Sequence, residues 1–401
     1  MGRPPRRTAK ADGRIVGARR GVAVTRSLYW QLAGFYFFYF GYIGAFAPYF
    51  SLYLDAIGFS AALIGIVLTV PQAMRIFAPH LWGWLSDRRS AHVTVARWTG
   101  VAGTVCFVGV FFGQTFVWIF LCLALWSFFW SAALPLIETT TLNHLGERGA
   151  DYGRIRLWGS IGFIVMVIGV GWVLDRTSIE TLLWIVAATM VGILAAVWRV
   201  PESRRVRSEG DHAPILQVVR RPDVLALIGA CFCMAVAHGP YYTFFSIHLV
   251  DLGYTKTVIG WLWAIGVIAE VIVFACLTWL YARFTHHALL MWSFALAVLR
   301  FCLIAWAAHI PAVLILAQLL HAATFGVFHS AALASVHKLF RGPNQARGQA
   351  VYSGLSFGLG GALGGLGSGL VWESWGPSAT FFAAAVSAGL GWLLLARSRG
   401  T

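Results

Sequence analysis

Long apolar runs separated by short polar stretches fill this 401-residue chain. About twelve of them approach the roughly 20 residues that cross a bilayer. They lie near 28–54, 61–85, 97–113, 116–142, 153–174, 179–198, 224–250, 257–281, 288–308, 311–339, 349–371 and 378–396. Lipid tails offer the backbone no hydrogen-bond partner, so each run is predicted to be a helix.

One segment is written twice. Pro48–Gly65 reads PYFSLYLDAIGFSAALIG, and Thr243–Gly260, 195 positions later, reads TFFSIHLVDLGYTKTVIG. Phe50/Phe245, Ser51/Ser246, Leu54/Leu249, Gly58/Gly253, Ile64/Ile259 and Gly65/Gly260 coincide without a gap. The same shift sets Gly153 on Gly348, and Arg75 on Glu270. A parallel repeat with opposite charges at matched mid-helix positions predicts a two-bundle transporter with its site between the bundles. The expected fold class is therefore an all-α membrane protein, with twelve transmembrane helices in two six-helix bundles. The expected domains are a basic cytoplasmic tail at 1–27, an N-terminal bundle at 28–198, a cytoplasmic linker at 199–222 and a C-terminal bundle at 223–397. The linker reading rests on a charged stretch with three prolines and no long apolar periodicity.

Charge changes the picture by where it lies. Only 11% of residues are charged, yet the formal net charge is +15. With twelve spans both termini share one side. That side holds the arginines from Arg3 to Arg26, Arg88, Arg89, Arg97, Arg148, Arg154, Arg156, Arg199 to Arg221, Arg283, Lys338, Arg341, Arg347, Arg397 and Arg399. The opposite loops hold Arg176 and Lys256. This is the positive-inside bias, so both termini are expected in the cytoplasm of a multi-pass protein of the cytoplasmic (inner) membrane. It argues against nucleic acid as a partner. The first run is far longer than the core of a cleaved signal and reads as a retained helix.

All six cysteines fall inside apolar runs, as small buried hydrophobes, with neither metal-site spacing nor a disulfide framework. No activated nucleophile or phosphate-binding loop is visible. The expectation is a non-enzyme without metal or cofactor, a monomer whose partners are a small solute, protons and lipid.

Five charges interrupt the apolar runs: Arg75, Glu138, Arg156, Glu270 and Arg300. Each costs about 2.5–3.5 kcal/mol at the membrane centre on insertion scales, so they are expected to face a polar cavity. Internal ion pairs that only hold helices together are the alternative. Three arginines against two carboxylates suit an anionic solute, because the planar guanidinium grips a carboxylate at two points. His321 and Glu270 form a candidate proton relay. His238 shares a helical face with Tyr241, Tyr242 and Phe245. Either histidine could instead be a hydrogen-bonded packing residue. Tyr39, Tyr42, Phe46, Tyr49 and Tyr53 follow one helical stripe. Phenols at mid-depth need partners, so this stripe is expected to line the cavity and suit a ring. Small residues recur in SGLSFGLGGALGGLGSGL at the spacing that lets helices approach closely.

Several segments carry a family resemblance. Gly83-Trp-Leu-Ser-Asp87-Arg88-Arg89 resembles the signature loop of the major facilitator superfamily, which implies that fold and a cytoplasmic gate at Asp87 and Arg88. Ser90-Ala91-His92 departs from the usual continuation, and Tyr281-Ala282-Arg283 lacks the acid. DYGRIRLWGS at 151–160 resembles the start of the fifth helix in lactose-permease-like and nucleoside proton symporters. That likeness implies solute-binding roles for Glu138 and Arg156, and coupling roles for Glu270, Arg300 and His321. Phe163 stands where that family has a sugar-stacking tryptophan, and Thr324 where it has a second proton-carrying acid. From Tyr29 to Leu395 the chain is similar to the phenylpropionate permease family, through DYGRIRLWGS, AHGPYY, GVIAEVIVFA and LLHAATFGVFH. The resemblance implies proton-coupled import of an aromatic acid. A sugar or nucleoside symporter is the alternative. A drug/proton antiporter is weaker, because Gly159–Leu174 contains no proline. A receptor or scaffold would not need buried charges in both halves.

Overall fold

The computed structural model describes residues 25–146, 151–203, 215–341 and 344–398. The basic tail before residue 25, the middle of the expected linker and Arg148 lie outside the described residues.

The fold is all-α. The first half contains α1 (Arg26–Phe46), α2 (Phe50–Ala56), α3 (Ala61–Arg89), α4 (His92–Val108), α5 (Phe116–Trp130), α6 (Ala133–Leu145), α7 (Tyr152–Leu174) and α8 (Thr181–Arg199). The second contains α9 (Ile215–Val219), α10 (Pro222–Asp251), α11 (Lys256–Arg283), α12 (His286–Ala307), α13 (Pro311–His321), α14 (Phe328–Leu339), α15 (Gln345–Tyr352) and α16 (Gly361–Arg397). Among the described residues, ten helical stretches are long and apolar enough to cross a membrane.

Several expected runs end differently. The run at 28–54 is two helices, because Pro48 has no N–H to continue the ladder and the chain turns at 47–49. The expected stripe is thus cut, with Tyr49 and Tyr53 beyond the break. The run at 97–113 is helical from His92. The run at 311–339 is α13 and α14 joined by a π-helical turn, Ala322–Val327. The last two runs lie in one helical stretch, Arg347–Arg397, of 51 residues. At 1.5 Å per residue that is roughly twice the thickness of a bilayer core. Gly376, at φ 78°, and Pro377 interrupt it.

The repeat is visible in the backbone. Gly58 and Gly253 take φ of 89° and 87°. Each closes its helix with the same bonds: Phe59 N to Leu54 O and Gly58 N to Asp55 O in one copy, Tyr254 N to Leu249 O and Gly253 N to Val250 O in the other. The left-handed conformation puts a Cβ against the following carbonyl, which is why both copies keep glycine. Each turn then feeds an extended Ser60 or Thr255 ahead of the next helix.

Packing places α1 against α7 and α8, α4 against α5, α6 and α8, and α10 and α12 against α16. Contacts between the halves run chiefly through α7 with α11 and α3 with α16. The outer surface is apolar and carries tryptophans near helix ends, such as Trp30, Trp184, Trp261, Trp292 and Trp306. Amphipathic rings at those positions suit the two membrane–water interfaces.

Around both turn glycines nothing lies within 4 Å of an added Cβ. Gly58→Ala and Gly253→Ala should therefore each destabilise the fold by about 1–2 kcal/mol through backbone conformation alone. Thermal unfolding in detergent checks this, and the two losses should match.

Candidate functional site

The most deeply buried charge is Arg300 on α12, which has no exposed surface. Its Nε donates to the Ala317 carbonyl at 2.9 Å, and Nη1 donates to Thr324 Oγ1 at 3.3 Å. Nη1 also lies 3.5 Å from His238 Nε2. The guanidinium sits 4.2 Å from the centre of the Tyr241 ring, a cation–π contact. His238 Nδ1 lies 2.9 Å from the Met234 carbonyl, which can only accept. That fixes Nε2 as the acceptor for Arg300 and makes the neutral tautomer self-consistent.

Glu270 on α11 meets His321, the last residue of α13, at 2.8 Å through Nε2. The two relay candidates are thus in direct contact. Arg300 lies within electrostatic reach of Glu270, without a direct ion pair between them. The π-helical turn begins at the residue after His321 and carries Thr324 and Phe325. It seats the Phe325 ring on the His321 imidazole at 5.4 Å. Such turns place side chains where a regular helix would not.

Gln318, fully buried, was missed by the sequence reading. Its Oε1 accepts from the Tyr241 hydroxyl at 2.8 Å. Three buried nitrogens of this cluster, Arg300 Nη2, Gln318 Nε2 and His321 Nδ1, have no hydrogen-bond partner. Gln318 sits three residues before His321, and that spacing was the available signal.

In the first half, Glu138 on α6 accepts a short hydrogen bond from the Tyr152 hydroxyl. Arg156 on α7 is not its ion-pair partner. The Arg156 guanidinium lies 3.6 Å from the Phe40 ring centre and 5.9 Å from that of Tyr36. It is within electrostatic reach of Glu270 in the other half. Arg75 on α3 is exposed and donates to Gln72 Oε1, one turn away, at 3.3 Å. It lies within electrostatic reach of Tyr39 and Tyr42 on α1 and of Tyr242 on α10.

The aromatic stripe packs against α5. Tyr39 stacks on Trp130 at 5.7 Å and 5°. Tyr42 contacts both Trp126 and Trp130, and Phe46 contacts Trp126. Tyr39, Tyr42 and Phe46 are all buried. The two tryptophans were also unforeseen, although their i, i+4 spacing marks one face. Tyr49, beyond the break, donates to the Val167 carbonyl at 2.6 Å. Phe163 is buried, and its backbone lies against Gly44 of α1. Of the gate residues, Asp87 meets His92 at 3.1 Å within the α3–α4 turn. Arg88 lies over Trp84 at 5.5 Å.

Comparison with known proteins gives the site its context. The family model described as "MFS_1 like family" matches residues 29–383. The chain is 29% identical over 342 residues to the "Probable 3-phenylpropionic acid transporter" of Escherichia coli (strain K12), covering 84% of this chain and 88% of that one. It is 28% identical over 376 residues to "Maltose permease" of Geobacillus stearothermophilus, covering 91% and 93%. A solved structure of a mutant of the nucleoside transporter NupG superposes with a TM-score of 0.80 at 20% identity, covering 92% of this chain and 98% of that chain. At that identity the likeness bears on the fold alone.

Tyr241→Phe removes the hydroxyl that donates to Gln318 Oε1 and leaves a buried acceptor unmade. The expected loss is about 1–3 kcal/mol of stability, read by thermal unfolding in detergent. Gln318→Leu on top of it should recover part of that loss, because the unpaired group goes with it.

Proposed function

Because this chain belongs to the MFS_1 like family, and is a major facilitator superfamily transporter, we propose that it imports a small aromatic carboxylate of the phenylpropionate type together with protons. As a transport protein of many membrane spans it moves a small solute and is not an enzyme. We read its architecture as twelve spans in two six-helix bundles, α1–α8 and α10–α16, that rock about a site between them. The passage of one helical stretch through Gly376 and the apolar length of α1 support that count. Both termini are read as cytoplasmic.

The observation that carries the substrate reading is the balance of charge. Arg75, Arg156 and Arg300 lack a carboxylate ion-pair partner among the described residues, while Glu270 is engaged by His321 and Glu138 by Tyr152. A guanidinium at low dielectric favours an anion. Arg156 and Arg75 are the proposed carboxylate anchors, because both retain exposure that Arg300 lacks. Tyr39, Tyr42, Phe46, Phe163, His238, Tyr241 and Tyr242 form the proposed aromatic surroundings of the ring.

Glu270, His321 and Arg300 are the proposed coupling group. A carboxylate near an arginine favours the ionised state, and burial favours the neutral one. Relative movement of α11 and α12 would shift that balance and so load or release a proton. Asp87 and Arg88 are the proposed cytoplasmic gate.

A second reading, a sugar or nucleoside symporter, is favoured by Glu138. Its carboxylate, fixed by Tyr152 near Arg156, is a natural acceptor for solute hydroxyls. Thermal stabilisation of the purified protein by aromatic acids, sugars and nucleosides separates the two. Aryl carboxylates should raise the unfolding temperature, and stabilisation by sugars alone would select the second reading.

Arg156→Ala should weaken aryl-acid binding by about tenfold or more, the scale of a lost charge-assisted hydrogen bond. Unchanged uptake in proteoliposomes would count decisively against the anchor. Glu270→Gln should retain exchange at equal concentrations and lose uphill accumulation. If that variant still concentrates solute in a pH-dependent way, the proton route lies elsewhere.

A further inference from the structure

The first amides of α3 and α11 are satisfied in an unusual way. Asp175 follows the last residue of α7, and its two carboxylate oxygens accept from Lys256 N and Thr257 N, each at 2.8 Å. The Thr257 hydroxyl adds a third bond at 2.5 Å. Thr255 Oγ1 takes the next amide, Val258 N, at 3.3 Å. All three opening amides of α11 are thereby paired, two of them by a residue from the other half of the chain. At α3, Ser60 makes no side-chain cap, and Ala62 N donates instead to Glu373 Oε2 of α16 at 2.8 Å.

These two contacts are related by the repeat. Ala62 shifted by 195 is Thr257, so equivalent amides are gripped in each half. Asp175 shifted by 195 falls at 370, and Glu373 stands about one helical turn further on. Each half lends one carboxylate to the other and receives one in return. A helix N-terminus carries positive dipole character and unpaired N–H groups, so a carboxylate is its natural complement. Hydrogen bonding from these groups, against the opposing effect of burial, holds the Asp175 carboxyl below its usual range.

The backbones beside each contact are in close register. Gly171 of α7 lies against the Lys256 carbonyl, and Gly260 of α11 lies against the Val167 carbonyl. The Tyr49 hydroxyl reaches both Val167 O and Lys256 O. On the other helix pair, an added Cβ at Gly65 would meet Gly365 O at 2.9 Å, and the Thr69 hydroxyl contacts Ala362 O at 3.0 Å. Among the described residues neither carboxylate forms a direct salt bridge, although the Lys256 ammonium lies within electrostatic reach of Asp175.

We propose that Asp175 and Glu373 are a reciprocal pair of latches that hold the two halves together at the end of the molecule opposite the Asp87 turn. Asp175 closes on two backbone amides and Glu373 on one, and the two latches break together when that end opens. The proposal rests on the reading of two halves that rock against one another. It does not depend on the solute or on which side of the membrane this end faces.

A third carboxylate provides the control. Glu202, just beyond α8, accepts from Val93 N and Thr94 N at the start of α4. The chemistry is the same, but both partners belong to the first half.

Hydrogen–deuterium exchange of the full chain in lipid nanodiscs, without solute, tests coupling. Asp175→Asn exposes its own amides whether or not the latches are linked, so the informative readout is the other latch. Exchange in the first turn of α3 should accelerate about fivefold in Asp175→Asn, and that of α11 about fivefold in Glu373→Gln, the scale of one lost N-cap. Glu202→Gln should leave both within about twofold, because its contact does not cross between halves. Lys256→Ala should also stay within about twofold at both, because the latch closes on its amide and its ammonium acts on Asp175 only as a weaker, indirect charge. If each variant changes only its own amides, the carboxylates are local caps and the proposal is overturned. Acceleration at both latches by Glu202→Gln would overturn it as well, by marking general loosening. Failure of aryl acids to stabilise or be transported would sink the substrate reading and leave this result standing.

Discussion

A bilayer core cannot hydrogen-bond, and that constraint organises the molecule. It forces the backbone into helices, and it makes every polar side chain within them a debt to some neighbour. Arg300 is the extreme case. A fully buried guanidinium is held by a carbonyl, a threonine hydroxyl, a neutral histidine and a tyrosine face, with no carboxylate in direct contact. Its surroundings fix the His238 tautomer and hold Tyr241 beneath it. Tyr241 in turn holds Gln318, and the turn after α13 brings Thr324 into range. Glu270 lies close enough to feel the charge without being spent on it.

The two halves treat their acids differently. Glu270 finds a histidine, whose two ring nitrogens can each hold or accept a proton. Glu138 finds a tyrosine, whose hydroxyl donates a single hydrogen bond to it. A histidine partner suits an acid that exchanges protons. A phenol suits one that keeps a fixed role beside Arg156. This contrast accords with the proposed coupling role of the second half and the proposed solute contact of the first. The aromatic packing follows the same division, with Trp126 and Trp130 facing α1, and His321 and Phe325 occupying the equivalent shifted positions opposite α10.

Backbone proximity, not side-chain bulk, joins the halves. Helices that must touch and separate benefit from flat surfaces, and glycine supplies them at α7–α11 and α3–α16. Contacts of that kind are close but individually weak, so they can be undone together. The carboxylate caps of Asp175 and Glu373 lie at the ends of these same helix pairs and add direction to them.

Much of this was legible in the chain. Apolar length determined the helices, because a bilayer permits few alternatives. The repeat determined the turn conformation, since Gly58 and Gly253 are matched in the sequence and match in φ within 2°. The buried charges were legible because a charge in an apolar run is costly wherever it points. Tertiary structure alone decided the partners. Which acid meets which base depends on helix rotation and separation, and one-dimensional spacing carries neither. Glu138 and Arg156 are 18 positions apart, yet the acid meets Tyr152 and the arginine turns to Phe40. Gln318, Trp126 and Trp130 look like ordinary helix residues until α10 and α1 are laid beside them. The break at Pro48 sent Tyr49 out of its stripe and into the α7–α11 contact. Asp175 and Glu373 read as loop acids, because the amides they hold belong to helices far along the chain.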